Sequence, residues 1–286
     1  MADAFPLWYP PDARRLFTAE GMLRRIARTA HWSNASKLLE LSASSASIIL
    51  AQGTGASVVA ADEDQKALDA LKERVTSHGV TNLVNLKQVA LASLPFGDAE
   101  FDGILALGKI LMPLGTAGQK LRKLLAPKGR LVFTYPVKVG RYPAENALRY
   151  WEARLGEPLN LPREALLKVE KAGFEPETIE TVGESELDDF YRELEKSLAS
   201  PADANGAAKL SEEIGLHRQN GGKTGVSYAV MVCRRKEPGV DGGNEPSRLL
   251  EPSQANFTAH QVVLNHARPI AVGERTAFEI AAIENA

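Results

Sequence analysis

From residue 37 onward, short apolar runs alternate with stretches in which apolar residues recur every three or four positions. The runs Lys37–Leu41, Val58–Ala61, Leu83–Val89, Phe101–Leu107 and Arg130–Tyr135 predict five strands. Each is apolar enough to lie buried between covering helices. Between them, Ser45–Gln52, Gln65–His78 and Ala117–Leu125 predict helices. In the second of these, Ala67, Leu68, Leu71 and Val75 share one face and Gly79 stops the pattern. Regular alternation of this kind is the signature of a parallel sheet with helices on both faces. Beyond residue 135 the pattern loosens. Helices are predicted at Glu145–Leu155, Arg163–Ala172, Glu186–Leu198 and Ala208–Ile214, with a loop of small residues at Ser200–Ala207. Strands are predicted at Glu177–Val182 and Val226–Cys233.

The flanks differ in character from this central region, and three segments result: 1–35, 36–236 and 237–286. Met1–Pro11 carries Phe5, Trp8 and Tyr9 among prolines and reads as an extended arm, followed by a helix over Asp12–His31. Leu16, Leu23, Ile26, Ala27 and Ala30 fall on one helical face, with Arg14, Arg15, Arg24, Arg25 and Arg28 around them. Those arginines are either a solvated face or a basic patch for an acidic partner. Glu237–Glu251 is a Pro/Gly linker too poor in apolar residues to fold alone. The tail beyond it has apolar patches at Gln261–Leu264, Pro269–Val272 and Thr276–Ile283, which could dock on the core or on another subunit.

Composition narrows the class. At 286 residues and 44% hydrophobic content, the chain can bury one full-sized core with appendages. A net charge of −2 gives no general pull toward nucleic acid or an anionic membrane, so neither is an expected partner. The single cysteine, Cys233, excludes an intrachain disulfide, and the five histidines show no metal-ligand spacing, so no metal is expected. There is no membrane-length apolar run, and the first residues carry charge where a signal peptide needs an apolar core. The expected location is cytoplasmic.

The chemistry concentrates in Leu38–Asp64. A strand ends in Glu40, a turn and an apolar helix follow, and a second strand ends in Asp62, Glu63 and Asp64. Further on, Leu94-Pro95-Phe96 precedes Glu100-Phe101-Asp102, and Leu121–Phe133 reads as helix, Pro-Lys-Gly turn and strand. These segments resemble the class I S-adenosylmethionine-dependent methyltransferases over roughly residues 36–236. The resemblance implies a Rossmann-like, mostly parallel seven-stranded sheet with helices on both faces. It also implies a cofactor site in which Glu40 orients the amino end and Asp62 or Glu63 takes the ribose hydroxyls. A carboxylate suits that second task because it accepts from two donors at once. Asp64 fits better as the cap of the following helix.

Two departures from the family pattern bear on this site. Where the family alternates glycines after the first strand, the chain has Ser42, Ser44 and Ala46. Glycine serves there because the backbone must approach the ligand closely or adopt positive φ, and a non-glycine residue in the left-handed region costs about 1–2 kcal/mol. These are the smallest substitutes available, and the serines could hydrogen-bond a ligand carboxylate. Where family members often carry an acid that reads the adenine amino group, the chain has Ala90, beside Leu91. Gly108 and Lys109 follow the fourth strand at the edge where open α/β sheets bind ligands. Lys109 there either meets an acidic substrate group or is a surface lysine. Tyr135 and Tyr142, on either side of Arg141, either line a pocket, carry a proton, or pack at the core edge. The catalytic residues are therefore open, with Lys109, Tyr135 and Tyr142 as candidates.

Two functions fit these features. The first is a S-adenosylmethionine-dependent methyltransferase acting on a small molecule that enters over Gly108–Met112 and Tyr135–Tyr142. The second is a catalytically inactive methyltransferase-fold module that serves as a scaffold and binds a protein through its N-terminal arm or C-terminal tail.

Overall fold

The computed structural model describes residues 20–41, 43–90, 93–108, 112–198 and 204–237. Ser42, Leu91, Lys109, the aromatic arm and the tail from residue 238 lie outside the described residues.

Seven strands form one sheet in the order β3-β2-β1-β4-β5-β7-β6. They are β1 (Lys37–Glu40), β2 (Ser57–Asp62), β3 (Val84–Gln88), β4 (Phe101–Ala106), β5 (Leu125–Lys138), β6 (Phe174–Thr181) and β7 (Val226–Arg235). Strands β1 to β5 pair in parallel, and β7 runs antiparallel between β5 and β6. The helices are α1 (Glu20–Thr29), α2 (Ala46–Thr54), α3 (Gln65–Ser77), α4 (Leu114–Leu124), α5 (Glu145–Leu155), α6 (Pro162–Lys171), α7 (Glu184–Leu198) and α8 (Ala204–Gln219). From β1 the chain builds outward through α2 to β2; from β4 it builds the other way through α4 to β5. Right-handed crossovers in opposite directions put α2 and α4 on opposite faces of the sheet. The strand order reverses between β1 and β4, so the crevice at their carboxyl ends is the expected ligand edge.

Local chemistry accounts for most element boundaries. Asp64 opens α3 by accepting a hydrogen bond from the Lys66 N–H, and Gly79 at φ +69° turns the chain after it. Strands β2 and β7 are buried along nearly their whole length, matching their unbroken apolar runs. The fifth strand begins five residues earlier than its pattern predicts. Leu125 already pairs with Phe101, residues 126–129 bulge outward, and pairing resumes at Arg130 opposite Gly103. The Pro-Lys-Gly turn is thus an interruption within β5, with Lys128 at φ +60°. Strand β6 starts at Phe174 rather than 177 because fully buried Phe174 pairs with Arg235. Residues 204–207, predicted as loop, are the first turn of α8.

Helix α1 packs into the core of the domain. Leu23, Ile26 and Ala27 are buried in the same core as the sheet, and the helix packs on α2. The chain then turns at Trp32, whose ring covers Gly103 of β4. A β-carbon at Gly103 would lie 2.3 Å from the indole, so any larger residue at this strand position forces the ring to shift. Of the basic residues on α1, Arg24 pairs with Glu20 and Arg25 with Glu180. Arg14, Arg15 and Leu16 lie outside the described residues. Among the described residues no helix is long and apolar enough to cross a membrane, and no group of three or more metal-ligating side chains gathers.

Candidate cofactor site at the carboxyl edge

Glu40 and Asp62 end two adjacent parallel strands and face the loop 41–46 from either side. Asp62 Oδ2 accepts the Ala43 N–H at 2.8 Å, and its Oδ1 accepts the Asp64 N–H at 3.1 Å. Both the acid and Ala43 are wholly buried. Asp62 therefore fixes the loop to β2 and braces the residue that caps α3. Glu63, the next residue after β2, is exposed, and Asp62 is the acid hydrogen-bonded to the loop.

Glu40 is also buried. Ser44 donates its hydroxyl to one carboxylate oxygen, and Ser47, one turn into α2, donates to the other. Ser44 Oγ in turn accepts the Ala46 N–H at 3.1 Å, which satisfies an orphan amide in the first turn of the helix. Ser44 thus has two roles, acceptor for the first amide of α2 and partner of Glu40. Ala46 is completely buried, packed as the first residue of α2. Burying a carboxylate is costly unless it is hydrogen-bonded, and the serine pair supplies that bonding from within the chain. Ser47 was not a candidate in the sequence. Its signal was there in principle: Ser44 and Ser47 are three apart, which puts both on one side of a helix start.

The other edges of the crevice are placed as follows. Ala90 is exposed just past β3, with Val89 donating its N–H to the Asp62 carbonyl at 2.9 Å. Gly108 is buried at the end of β4 at φ +72°, and its N–H is donated to Thr134 Oγ1. That turn needs glycine because a side chain is rarely accommodated at positive φ.

The two tyrosines separate sharply. Tyr142 is 83% exposed, beneath the Arg141 guanidinium. Tyr135 is fully buried, and its hydroxyl bridges the Met112 carbonyl (3.1 Å) and Glu157 Oε1 (2.7 Å). Burial, reinforced by the neighbouring Glu157 charge, pushes its phenol far above the usual range. Its hydroxyl ties β5 to the Met112 carbonyl and to Glu157, so Tyr135 acts as a brace. Its partner Glu157 was missed by sequence reasoning. Glu157 Oε1 also accepts the Leu114 N–H at 3.0 Å, and Oε2 accepts Lys168 Nζ at 2.6 Å. Burial opposes its charge, but the Leu114, Lys168 and Tyr135 hydrogen bonds together hold its carboxyl below the ordinary range. Glu157 caps α4 from outside that helix. It thereby fixes the downstream end of the segment joining β4 to α4, next to the crevice. No spacing in the sequence links residues 112, 135, 157 and 168.

Residues 41–133, which run from the loop after β1 into β5, match the model of a family described as a methyltransferase domain. Among solved structures, a SAM-dependent methyltransferase from Thiobacillus denitrificans in complex with S-adenosyl-L-homocysteine superposes with a TM-score of 0.60 at 18% identity, covering 80% of this chain and 93% of that one. A putative sarcosine dimethylglycine methyltransferase from Galdieria sulphuraria gives 0.60 at 17%, covering 82% and 93%. The [4+2]-cyclase SpnF also gives 0.60, at 20%, covering 76% and 81%. No curated protein sequence matches the chain. The chain therefore has the class I S-adenosylmethionine-dependent methyltransferase fold, with the family match falling on the cofactor half. Likeness at such identities establishes the fold, and the cyclase is a reminder that one fold carries several chemistries.

Proposed function

We propose that the protein is a class I S-adenosylmethionine-dependent methyltransferase acting on a small molecule. The observation that carries this reading is the pair of carboxylates at the ends of β1 and β2, Glu40 and Asp62, facing one loop at the point where the sheet reverses. Their chemistry suits the cofactor: a carboxylate for the ammonium of its methionine part and another for the ribose diol. When bound, S-adenosylmethionine would supply an electrophilic methyl: an acceptor's electron pair would form the new bond to carbon as the carbon–sulfur bond breaks, and that pair would stay on sulfur to leave a neutral thioether. The residues of the chain orient and shield. Glu40 holds the amino end once Ser44 and Ser47 turn away from it. Asp62 exchanges its bond to the Ala43 N–H for the ribose hydroxyls. Exposed Ala90 would border the adenine; Ser42, Leu91 and Lys109 are assigned to the site from the sequence alone and lie outside the described residues. Gly108 shapes the turn beneath the acceptor, and the Tyr135–Glu157 pair holds the far end of its segment. Tyr142, exposed beyond β5, is a candidate for contact with the acceptor.

Calorimetry with S-adenosylmethionine and S-adenosylhomocysteine tests this. The expected result is micromolar binding that is lost in Asp62→Ala. No heat at millimolar ligand from a folded sample would overturn the reading. It would leave the non-catalytic scaffold, which is favoured by the fact that both acids are already satisfied within the chain.

A further inference from the structure

Helices α5, α7 and α8 hold a second constellation of polar side chains. Strand β7 runs antiparallel to β5, with Val226 opposite Lys138, and Thr181 at the end of β6 lies opposite Ala229. The segments that lead from β5 into α5, from β6 into α7 and from α8 into β7 therefore all lie at the edge where β5 ends. Because β1, β2, β4 and β5 are parallel, that is also the edge of Glu40 and Asp62.

At this edge His217 of α8 is 7% exposed and stacks on Tyr191 of α7, with ring centroids 4.2 Å apart. Its Nε2 meets Asp188 Oδ1 at 2.7 Å, so Nε2 carries the hydrogen and Nδ1 is left as an acceptor. Among the described residues Nδ1 has no hydrogen bond, yet a water-sized group reaches it. Gly222 leaves room for the Asp188–His217 pair: a β-carbon there would lie 2.9 Å from Asp188 Oδ1.

The His217 ring lines a cavity of about 10 Å³, room for roughly one water, between α5, α7, α8 and β7. The hydroxyl hydrogens around it are spent. Tyr191 and Tyr228 both donate to Glu213 Oε1, at 3.0 and 3.1 Å. Ser227 donates to the Val182 carbonyl at 2.7 Å, and Thr224 to the Val226 carbonyl at 3.2 Å. The lining thus presents an imidazole nitrogen, a buried carboxylate, hydroxyl oxygens and aromatic rings, Trp151 among them. A hollow of this size with such walls suits a small cationic donor, and an ammonium group is one.

We infer that this cavity seats the amino group of the methyl acceptor, and that His217, held in its tautomer by Asp188, takes the proton that group must lose. The inference rests on the methyltransferase reading and assigns its acceptor to the amines. The acceptor enters as an ammonium. One N–H proton passes to His217 Nδ1, the freed lone pair forms the bond to the methyl carbon, and the carbon–sulfur bond breaks with its pair staying on sulfur. The remaining N–H groups donate to Glu213 and Ser227.

The test uses methylammonium chloride and the full chain, labelled with 15N in histidine and tryptophan. Before addition, NMR should show His217 protonated at Nε2 and bare at Nδ1. Methylammonium should then shift the His217 Nδ1 and Trp151 indole resonances saturably. Methanol, the same size without the charge, should bind more weakly by roughly tenfold or more, since charge-assisted hydrogen bonds are lost. His217→Phe, which keeps a ring on Tyr191, and Glu213→Gln should each weaken methylammonium by roughly the same factor, read at Trp151 in samples whose melting shows them folded. A proton on Nδ1, no saturable shift, methanol as tight as methylammonium, or a Kd that His217→Phe leaves unchanged overturns the inference. Calorimetry with S-adenosylmethionine separates the two readings. Amine binding without cofactor binding overturns the methyltransferase reading and with it the role of His217. Cofactor binding without amine binding overturns the amine site alone.

Discussion

Replacing Ser44 with alanine separates the two tasks of the cofactor loop. The substitution removes the hydroxyl donated to Glu40 and the oxygen that accepts the Ala46 N–H, and it keeps the β-carbon. A hydrogen bond to a charged group is worth about 1.5–3 kcal/mol. Glu40 is 1% exposed, so water does not replace the donor readily. The free protein should therefore lose about 1.5–3 kcal/mol, and at this size its melting temperature should fall by about 3–12 °C. The ligand experiences the opposite effect. The ammonium of S-adenosylmethionine no longer competes with Ser44 for that oxygen, so the same free energy returns as affinity, a gain of about 10–150-fold. Differential scanning calorimetry and isothermal titration on the same preparation read both numbers. Ser47→Ala, which frees the other oxygen, should behave alike. The combined Ser44→Gly and Ala46→Gly replacement should raise affinity further by removing two β-carbons from the loop. A variant that melts lower and also binds more weakly would refute this reasoning, since it would mean the serine holds the ligand rather than its acid. Unchanged melting would show that the hydroxyl does not carry Glu40.

Glu157 gives a pH-dependent prediction. Its carboxyl is held below the ordinary range, so the stabilisation it supplies is complete above about pH 4.3, where the unfolded carboxylate is also charged, and is lost as pH falls through the lower folded value. Chemical denaturation should show Glu157→Gln flattening that acid limb, and a limb unchanged by the substitution would remove Glu157 as its source. At Gly103, alanine would place a carbon 2.3 Å from the Trp32 ring and 2.8 Å from Leu38, an overpacking cost of about 1–3 kcal/mol. The urea midpoint should fall accordingly, and Trp32→Leu in the same chain should recover part of it; an unaltered midpoint would mean the indole moves aside freely.

The sequence by itself determined the layered architecture, because the evidence for it is local. A strand buried on both faces must be apolar throughout, as β2 and β7 are, and a helix start such as Asp64 carries its own cap within two residues. Glu40 and Asp62 were legible for the same reason: strand-end acids sit next to the periodic signal that locates the strand. Tertiary structure decided what those acids do. Whether Glu40 faces solvent or the hydroxyls of Ser44 and Ser47 depends on how α2 returns onto the sheet, and no spacing rule states that. The bulge at residues 126–129 depends on Leu125 finding Phe101 across the sheet. Tyr135 became a brace once Glu157, 22 residues away, arrived beside its hydroxyl. Periodicity records which side of each element is buried, and only the packed chain records what that side meets.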